Sequence, residues 1–346
     1  MEILVSEMST AMGWHYNDLT AATSAPLAVF APMGYMFDAQ STQHVVYQGF
    51  VDGEGADGHI HELYWDSNGW HHNDLTAAAG APLAFEVPWG YVFAAQGTQH
   101  VVYLGLGASG EGIDGHIHEL YWDSNGWHHN DLTAAARAPL AAVPPIGYAF
   151  ETQRTQHVFY VNDSGGASHV HELWWDSNGW HHNDLTVAAG APDSLGNSLT
   201  GHVFFAQDTQ HVFYVPSFGG GTDDSIHELW WDSKGWHDND LTVAAGAPTW
   251  GLGDLRSYVF AAQGTQHVLY LATGKDGHIH ELYWDSKGWH HNDLTAATGA
   301  PLANGFGQPL GAYDYPMGYG FVAQGTQHVV YRATDSHIIE LYWMPD

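Results

Sequence analysis

Histidine is the residue through which this sequence could most readily do chemistry, because it occurs 27 times in a fixed pattern. All but His202 fall in three recurring phrases, which are Thr-Gln-His, His-x-His-Glu and Trp-His-His-Asn. Neutral imidazoles bind Zn, Cu and Ni, but on a strand the Glu of His-x-His-Glu points to the opposite face from both histidines. The pattern therefore favours a buried hydrogen-bond network, with ligand contact and metal binding as alternatives. We assign no metal ligands and expect no cofactor.

Tryptophan beside polar turn residues is a second recurring pattern. The phrase Gly-Trp-His-x-Asn-Asp-Leu-Thr occurs six times, and its indole, at a strand start beside a glycine turn, is expected to stay half exposed. A flat apolar ring next to hydrogen-bonding groups suits a sugar, whose C–H face packs on the ring while its hydroxyls meet the polar groups. The candidate ligand-binding residues are these tryptophans and nearby turn residues, the last two from a neighbouring copy: Trp14, Trp70, Trp127, Trp180, Trp236, Trp289, Asp66, Asn68, Asp123, Asn125, Asp176, Asn178, Thr98 and Gln99.

These phrases belong to one repeated unit. The tryptophan phrase recurs with its indole at positions 14, 70, 127, 180, 236 and 289, and a period of about 55 residues indicates a repeat architecture. In the second copy, two turns with glycine divide β-favouring residues into strands predicted at 91–96, 99–104, 116–122 and 127–133. Four antiparallel strands in each of six copies predict an all-β fold, a six-bladed β-propeller with four-stranded antiparallel blades.

The repeat also predicts one domain. Residues 1–346 form a single β-propeller, with blades at about 34–76, 90–133, 147–186, 201–242, 257–295, and 318–343 together with 14–20. The N-terminal strand at 14–20 thus completes the C-terminal blade, which removes an open sheet edge. The nearly constant hairpin turns lie on one face of the disc, and the variable loops between second and third strands lie on the other. A rival ligand site is expected on that variable face.

Composition excludes several classes of function. The chain has 346 residues, with 38 acidic groups against 7 basic ones and no cysteine. A formal charge of −31 argues against binding nucleic acid or anionic lipid. The four arginines fall at different repeat positions, so no cluster of the kind that sialidases need is indicated, and no nucleophile elbow or phosphate loop is found. We predict that the protein is not an enzyme.

The sequence shows no signal for a membrane or for calcium. No apolar run is long enough to span a bilayer, so no membrane insertion is expected, and the start lacks the pattern of a signal peptide. We expect a soluble protein, cytoplasmic or released by a non-classical route. The acidic loop at 52–57 could bind Ca²⁺, but the other copies do not reproduce its spacing, which favours a solvated loop.

The repeated phrases resemble those of the Photorhabdus-type β-propeller lectins. The resemblance rests on Thr-Gln-His-Val-Val-Tyr, His-Ile-His-Glu-Leu-Tyr-Trp-Asp-Ser-Asn-Gly-Trp and Asn-Asp-Leu-Thr-Ala-Ala-Ala-Gly-Ala-Pro, and it covers the chain from Trp14 to Trp343. It implies carbohydrate binding in clefts between blades, L-fucose and O-methylated sugars as ligands, and homo-oligomers, either dimers or tetramers. The lectins of this type have seven blades, whereas the repeats here number six.

The repeated sites and the resemblance together predict a non-enzymatic, multivalent lectin for fucose or related O-methylated sugars. Two alternatives stay open. One is a propeller scaffold that binds protein partners on the variable face, and the other is a metal-binding or glycan-hydrolysing propeller.

The charge composition predicts a solubility minimum in mild acid. Full protonation of the 27 histidines would offset most of the formal charge of −31. Solubility should therefore be lowest near the sequence pI of about 4.9. Turbidity of a concentrated solution between pH 7.5 and 4 measures this, and a clear, folded solution at pH 5 would show that buried histidines do not titrate in this range.

Overall fold

The computed structural model describes residues 18–53, 55–110, 112–162, 168–194, 198–216, 224–272, 277–303, 316–321, 325–332 and 337–345. They form six small antiparallel sheets arranged as a six-bladed β-propeller, which confirms the predicted fold class. Among these residues, no helix has both the length and the apolar character needed to cross a membrane.

Each of the first three blades is one antiparallel sheet built from strands that are consecutive in the chain. The first contains β1 (Leu27–Ala28), β2 (Met33–Phe37), β3 (Thr42–Val51), β4 (Gly55–Asp66) and β5 (Gly69–Asp74). The second contains β6 (Ala84–Phe93), β7 (Thr98–Leu106), β8 (Ile113–Asp123) and β9 (Gly126–Asp131). The third contains β10 (Ile146–Phe150), β11 (Thr155–Val161), β12 (Val170–Asp176) and β13 (Gly179–Asp184).

The remaining blades repeat this order. The fourth contains β14 (Leu199–Phe204), β15 (Thr209–Tyr214), β16 (His227–Asp232) and β17 (Gly235–Asp240). The fifth contains β18 (Trp250–Phe260), β19 (Thr265–Ala272), β20 (Ile279–Asp285) and β21 (Gly288–Asp293). The sixth contains β22 (Met317–Phe321), β23 (Thr326–Arg332) and β24 (Ile338–Trp343). In the described part of the chain, six one-turn helices lie outside the sheets: α1 (Leu19–Thr23), α2 (Leu75–Ala79), α3 (Leu132–Ala136), α4 (Leu185–Ala189), α5 (Leu241–Ala245) and α6 (Leu294–Thr298).

The predicted end of the fourth strand is wrong. In the second blade β9 ends at Asp131, and α3 begins at Leu132 where the sequence predicts two further strand residues. The cause is a helix cap, because the Asp131 carboxylate accepts a hydrogen bond from the backbone N–H of Ala134 at 2.8 Å. For the same reason, the strand predicted at 14–20 is a helix from Leu19 onward, while residues 14–17 lie outside the described part of the chain.

The predicted end of the first strand is also wrong. The sequence predicts a strand over 91–96, but β6 ends at Phe93 and the chain turns over the next four residues. The Phe93 carbonyl accepts a hydrogen bond from Gly97 N–H at 3.0 Å, and Gly97 takes a positive φ of 68° that suits glycine.

The apolar core lies between blades. One cluster joins Val46, Ile60 and Leu75 of the first blade to Val101 and Leu120 of the second. Equivalent clusters join each following pair of blades. Because every cluster draws on two blades, each blade depends on its neighbours for a dry interior.

A cavity of about 750 Å³ lies between the fifth and sixth blades, and its lining includes Leu294, Leu341 and Trp343. Between the fourth and fifth blades, Trp289 packs on the equivalent cluster and contacts Phe213, with ring centroids 6.2 Å apart. In the sequence repeat, the residue of the last blade that corresponds to Trp289 is Trp14, which lies outside the described residues.

Closure by the N-terminal strand predicts a matched pair of mutational effects. Trp289→Ala should lower the free energy of unfolding by about 2–4 kcal/mol because it removes a packed indole. If residues 14–20 complete the last blade, Trp14→Ala should have an effect of similar size. Thermal unfolding measures both, and an unchanged Tm for Trp14→Ala beside a lowered Tm for Trp289→Ala would contradict the closure.

Candidate functional site

A chain of buried hydrogen bonds crosses each of the first five blades. In the second blade, Nε2 of His100 lies 2.7 Å from the Thr98 hydroxyl, and its Nδ1 lies 2.8 Å from Glu119 Oε1. The other carboxylate oxygen of Glu119 accepts a hydrogen bond from the Asn130 side chain at 2.9 Å. The same network recurs in the first, third, fourth and fifth blades, with His44, His157, His211 and His267. In the sixth blade His328 bonds Glu340, whose carboxylate is exposed. These histidines therefore form the structural network that the sequence favours.

A row of rings lies on the same face of each of the first five blades. In the second blade, the ring centroids of Tyr91 and His100 are 5.2 Å apart, those of His100 and Tyr121 6.3 Å, and those of Tyr121 and His128 4.8 Å. We call these four rings and their equivalents the ring row. At its inner end the Tyr91 hydroxyl donates to Gln156 of the third blade at 3.0 Å, which shows that the ring row faces the next blade.

The outer end of the ring row is partly exposed and polar. There, Nε2 of His128 lies 3.0 Å from Oδ1 of Asp123, which also accepts the backbone N–H of Asn125 at 2.7 Å. These hydrogen bonds, from Asn125 first and then from His128, hold the pKa of the Asp123 carboxyl below its usual value. The carboxylate is therefore ionised at neutral pH and can accept hydrogen bonds from a ligand.

This outer group recurs with the same contacts in five blades. Each copy joins an aromatic ring, an imidazole stacked on it and a carboxylate that hydrogen-bonds the imidazole. We call each copy an outer plate. The five outer plates are Tyr64, His71 and Asp66; Tyr121, His128 and Asp123; Trp174, His181 and Asp176; Trp230, His237 and Asp232; Tyr283, His290 and Asp285.

Tryptophans of the following blade form the opposite wall. Trp175 contacts Phe93 of the second blade edge-on, with ring centroids 6.2 Å apart. Trp180 packs on the cluster that contains Tyr91 and Leu132 of the second blade. We call the space between an outer plate and the tryptophans of the next blade the interblade cleft. One wall of each cleft is thus polar and aromatic, and the other is mainly indole.

The predicted tryptophans occupy one repeated position. Trp70, Trp127, Trp180, Trp236 and Trp289 are all partly exposed, as expected for residues near the rim. The last four pack on clusters shared with the preceding blade. Trp14 lies outside the described residues.

The predicted polar residues divide between exposed and buried positions. Asp66, Asp123 and Asp176 belong to outer plates, and the exposed Asn68, Asn125 and Asn178 follow them in the same turns. Gln99 is 4% exposed and accepts a hydrogen bond from Tyr35 of the first blade, so it faces the same cleft as Asp66. Thr98 is 8% exposed and bonds His100, which places it toward the third blade.

The structure does not bring Trp70 and Asp66 into the same cleft. Side chains alternate along a strand, so Trp70 faces away from the second blade while Asp66 faces toward it. The tryptophan at the equivalent position of the next blade, Trp127, packs on the apolar cluster that the first and second blades share.

The candidate binding residues predicted from the sequence include carboxylates of the outer plates but not their rings. These are the first aromatic residue of each Glu-Leu-(Tyr/Trp)-Trp phrase and the first histidine of each Trp-His phrase. The signal was present, because strand alternation separates the two neighbouring aromatics of that phrase onto opposite faces. The sequence analysis predicts sugar stacking only on the tryptophans at the strand starts.

A second group of histidines lies near the variable loops. In the second blade, Nδ1 of His116 lies 2.8 Å from Asp131, and His118 bonds both His129 and Asp114, at 3.0 and 3.1 Å. We call this group and its equivalents the loop-face histidine cluster. In two blades, its members are close enough for a shared metal ion: His169, His171 and Asp184, and His278, His280 and Asp293.

Comparison with known proteins identifies the fold. No protein-family model matches the sequence, and no curated protein is similar to it. The structure resembles that of AofleA from Arthrobotrys oligospora, at 14% identity and a TM-score of 0.55, over 91% of this chain and 84% of that chain. It also resembles the SapL1 lectin in complex with alpha methyl fucoside, at 17% identity and a TM-score of 0.50, over 92% of each chain.

A further similar structure is that of an enzyme. The alpha-L-arabinofuranosidase Arb93A from Fusarium graminearum aligns at 9% identity and a TM-score of 0.49, over 87% of each chain. At such identities these likenesses show the β-propeller fold alone, and a fold hosts many functions. The resemblance to the Photorhabdus-type lectins rests on the sequence motifs.

One ring row contains a histidine where the other blades have tyrosine. His202 of the fourth blade bonds Gln266 of the fifth through Nε2 at 2.9 Å and Ser257 through Nδ1 at 3.0 Å. Tyr148 makes the corresponding contact one blade earlier, with Gln210. Burial lowers the pKa of His202 to about 3, so the ring is neutral in the folded protein over most of the acid range.

This histidine predicts a specific loss of stability in acid. In the unfolded chain the pKa of this histidine is about 6.5, whereas in the folded protein it is about 3. Between these two pH values the unfolded state therefore binds a proton that the folded state does not bind. Stability should fall as pH drops through this window, by up to about 1.4 kcal/mol per pH unit for this group. His202→Tyr should remove that dependence. Urea unfolding at pH 7.5 and 5 measures the difference.

The reciprocal variant Tyr148→His is the control for this prediction. It should add acid sensitivity at the interface between the third and fourth blades. Parallel plots of stability against pH for the wild type and His202→Tyr would contradict the prediction.

Proposed function

We propose that the protein is a non-enzymatic, multivalent lectin that binds fucose or related O-methylated sugars in its interblade clefts. The outer plate carries this proposal, because it joins a partly exposed aromatic ring to an ionised carboxylate and repeats in five blades. We propose that the predicted tryptophans and turn residues also contact the sugar. In each cleft, the tryptophan comes from the following blade.

The chemistry of the outer plate matches a monosaccharide. The C–H face of a pyranose packs on Tyr121 or its equivalents, since such contacts combine apolar burial with attraction to the π-face. The Asp123 carboxylate accepts hydrogen bonds from sugar hydroxyls, and bonds to a charged acceptor are stronger than neutral ones. Asn125 follows in the same turn and offers a further polar group.

Charge favours neutral sugars over acidic ones. The formal charge is −31, so sialylated or sulfated glycans would meet repulsion. Arg256 forms an ion pair with Asp254 at 3.1 Å rather than standing beside an outer plate. Fucose and O-methylated sugars carry no charge, and their methyl groups add apolar surface for the aromatic walls.

Repetition favours binding over catalysis. An enzyme concentrates its chemistry at one site, whereas here the same ring, imidazole and carboxylate recur around the disc. A monosaccharide buries little surface, so each cleft is expected to bind weakly. Linked sites raise the avidity for a glycan-covered surface by about 10²–10⁴-fold.

The proposal predicts which carboxylates matter. Replacing Asp by Asn in all five outer plates (Asp66, Asp123, Asp176, Asp232 and Asp285) should weaken binding of alpha methyl fucoside by about 10–100-fold, the effect of losing a charged hydrogen bond. The fold should be retained, because Asn can still accept the backbone N–H two residues on. Calorimetric titration with this sugar, together with agglutination of fucosylated cells, measures the effect.

A natural control lies in the same turns. Lys234 and Lys287 stand where the first three blades have Asn. The variant Lys234→Asn with Lys287→Asn should leave affinity within a few-fold of the wild type. Unchanged affinity in the five-Asn protein, or agglutination that no monovalent sugar inhibits, would overturn the proposal.

A further inference from the structure

The five outer plates are of two chemical kinds. Three of them carry a phenol ring, which belongs to Tyr64, Tyr121 and Tyr283. The other two carry an indole, which belongs to Trp174 and Trp230. All five rings are half-buried. The clefts that begin at the third and fourth blades therefore offer a different ring from the other three.

A second difference accompanies the indole in the same two blades. It lies in the strand that begins with Thr-Gln-His, at a position that is fully buried in all five blades. The first, second and fifth blades have Val46, Val102 and Leu269 at this position. The third and fourth blades have Phe159 and Phe213 there. The plate ring and this buried residue thus change together.

The two phenylalanines contact the opposite walls of their clefts. Phe159 meets Trp236 of the fourth blade edge-on, with ring centroids 6.3 Å apart. Phe213 meets Trp289 of the fifth blade in the same way, at 6.2 Å. We call these two clefts the indole clefts, and we call the clefts of the three phenol plates the phenol clefts. The indole clefts contain more aromatic surface on both sides.

The phenol adds a hydroxyl to the polar groups of its plate. Burial, followed by the charges of Asp123 and Glu119, raises the pKa of Tyr121, so its hydroxyl stays protonated at neutral pH. A protonated phenol both donates and accepts hydrogen bonds. A free hydroxyl of a sugar also does both, and Asp123 can accept a further bond from the same ligand. The phenol clefts therefore suit a sugar with free hydroxyls.

The indole offers a larger apolar ring and a single N–H, which donates but does not accept. A methyl ether complements it, because the ether oxygen only accepts and the methyl group adds apolar surface. The two rings of an indole plate also lie closer together. The ring centroids of Trp174 and His181 are 4.2 Å apart, compared with 4.8 Å for Tyr121 and His128. The indole clefts therefore suit an O-methylated sugar.

The turn residue does not follow this division. Asn178 accompanies Trp174 in the third blade, whereas Lys234 accompanies Trp230 in the fourth. The phenol plates are divided as well, since the fifth blade has Lys287 where the first two have Asn. An effect of the plate ring can therefore be separated from an effect of the turn.

We propose that the protein has two classes of sugar site, in which phenol clefts prefer free hydroxyls and indole clefts prefer an O-methyl group. This inference rests on the proposed lectin function, and it makes the plate ring the residue that determines specificity. One buried methyl group contributes about 4-fold in affinity, and one lost hydrogen bond costs about 5-fold. The preference between the two kinds of sugar should therefore differ by about 20-fold between the two classes.

Calorimetric titration of the full-length protein with two kinds of sugar tests the inference. The probes are alpha methyl fucoside and its mono-O-methyl derivatives. Alpha methyl fucoside should fill three tighter sites and two weaker ones, as the numbers of phenol and indole plates require. The derivative that binds most tightly should show the reverse. Equal affinity at all five sites for both kinds of sugar would overturn the inference.

Exchange of the plate rings should change this preference. Trp174→Tyr with Trp230→Tyr should weaken binding of the methylated sugar at its two tighter sites by about 20-fold. It should leave the three tighter sites for alpha methyl fucoside unchanged. Tyr64→Trp with Tyr121→Trp and Tyr283→Trp should raise the number of tighter sites for the methylated sugar from two to five.

The matched control alters the accompanying residue and keeps both indoles. Phe159→Leu with Phe213→Leu introduces the residue type of the fifth blade, and it should leave the ratio of the two affinities within a few-fold of the wild type. An unchanged ratio in both exchange variants would overturn the inference. If a combined variant does not fold, Trp174→Tyr alone decides, because it should remove one of the two tighter sites for the methylated sugar.

The outcomes separate this inference from the lectin proposal. Binding of both sugars with the same preference in every cleft would overturn the two classes and leave the lectin proposal standing. An absence of binding by either sugar would overturn both.

Discussion

A buried carboxylate bound by histidine is the interaction on which each of the first five blades of this propeller depends. Glu119 is 2% exposed, and a charge so placed is tolerated only when it is paired and hydrogen-bonded. His100 supplies the pair, while Thr98 and Asn130 satisfy the remaining groups, so three strands are joined by side chains as well as by backbone. Removing one member would leave the others buried without partners, which explains why the whole set recurs together.

Strand alternation then gives each blade two different faces. The face toward the next blade holds the carboxylate network and the ring row, and its inner tyrosine bonds a glutamine across the interface. The face toward the preceding blade holds leucine, valine and the two tryptophans of the outer hairpin. Every interblade cleft therefore pairs a polar aromatic wall with an indole wall, and one short repeat produces several equivalent mixed clefts around the disc.

The sequence predicts the six blades and the role of histidine in the buried network because both follow from repetition and from alternation along strands. The sequence analysis places the end of β9 two residues too late, because Asp131 is compatible both with a strand and with a helix cap. The hydrogen bond that Asp131 accepts from Ala134 identifies it as the cap. The sequence analysis also places Trp70 and Asp66 in the same binding site, because the repeat pattern does not indicate which neighbouring blade each side chain faces.

Screening the labelled protein on a glycan array, with and without a chelator, tests the central claim most directly. The claim is that repeated aromatic and carboxylate groups bind neutral sugars without help from a metal ion. The account predicts binding to fucosylated or O-methylated glycans that the chelator does not change. The absence of binding to any glycan on a broad array would contradict the account and favour a scaffold for protein partners. Binding that the chelator abolishes would contradict the role given to the outer plates.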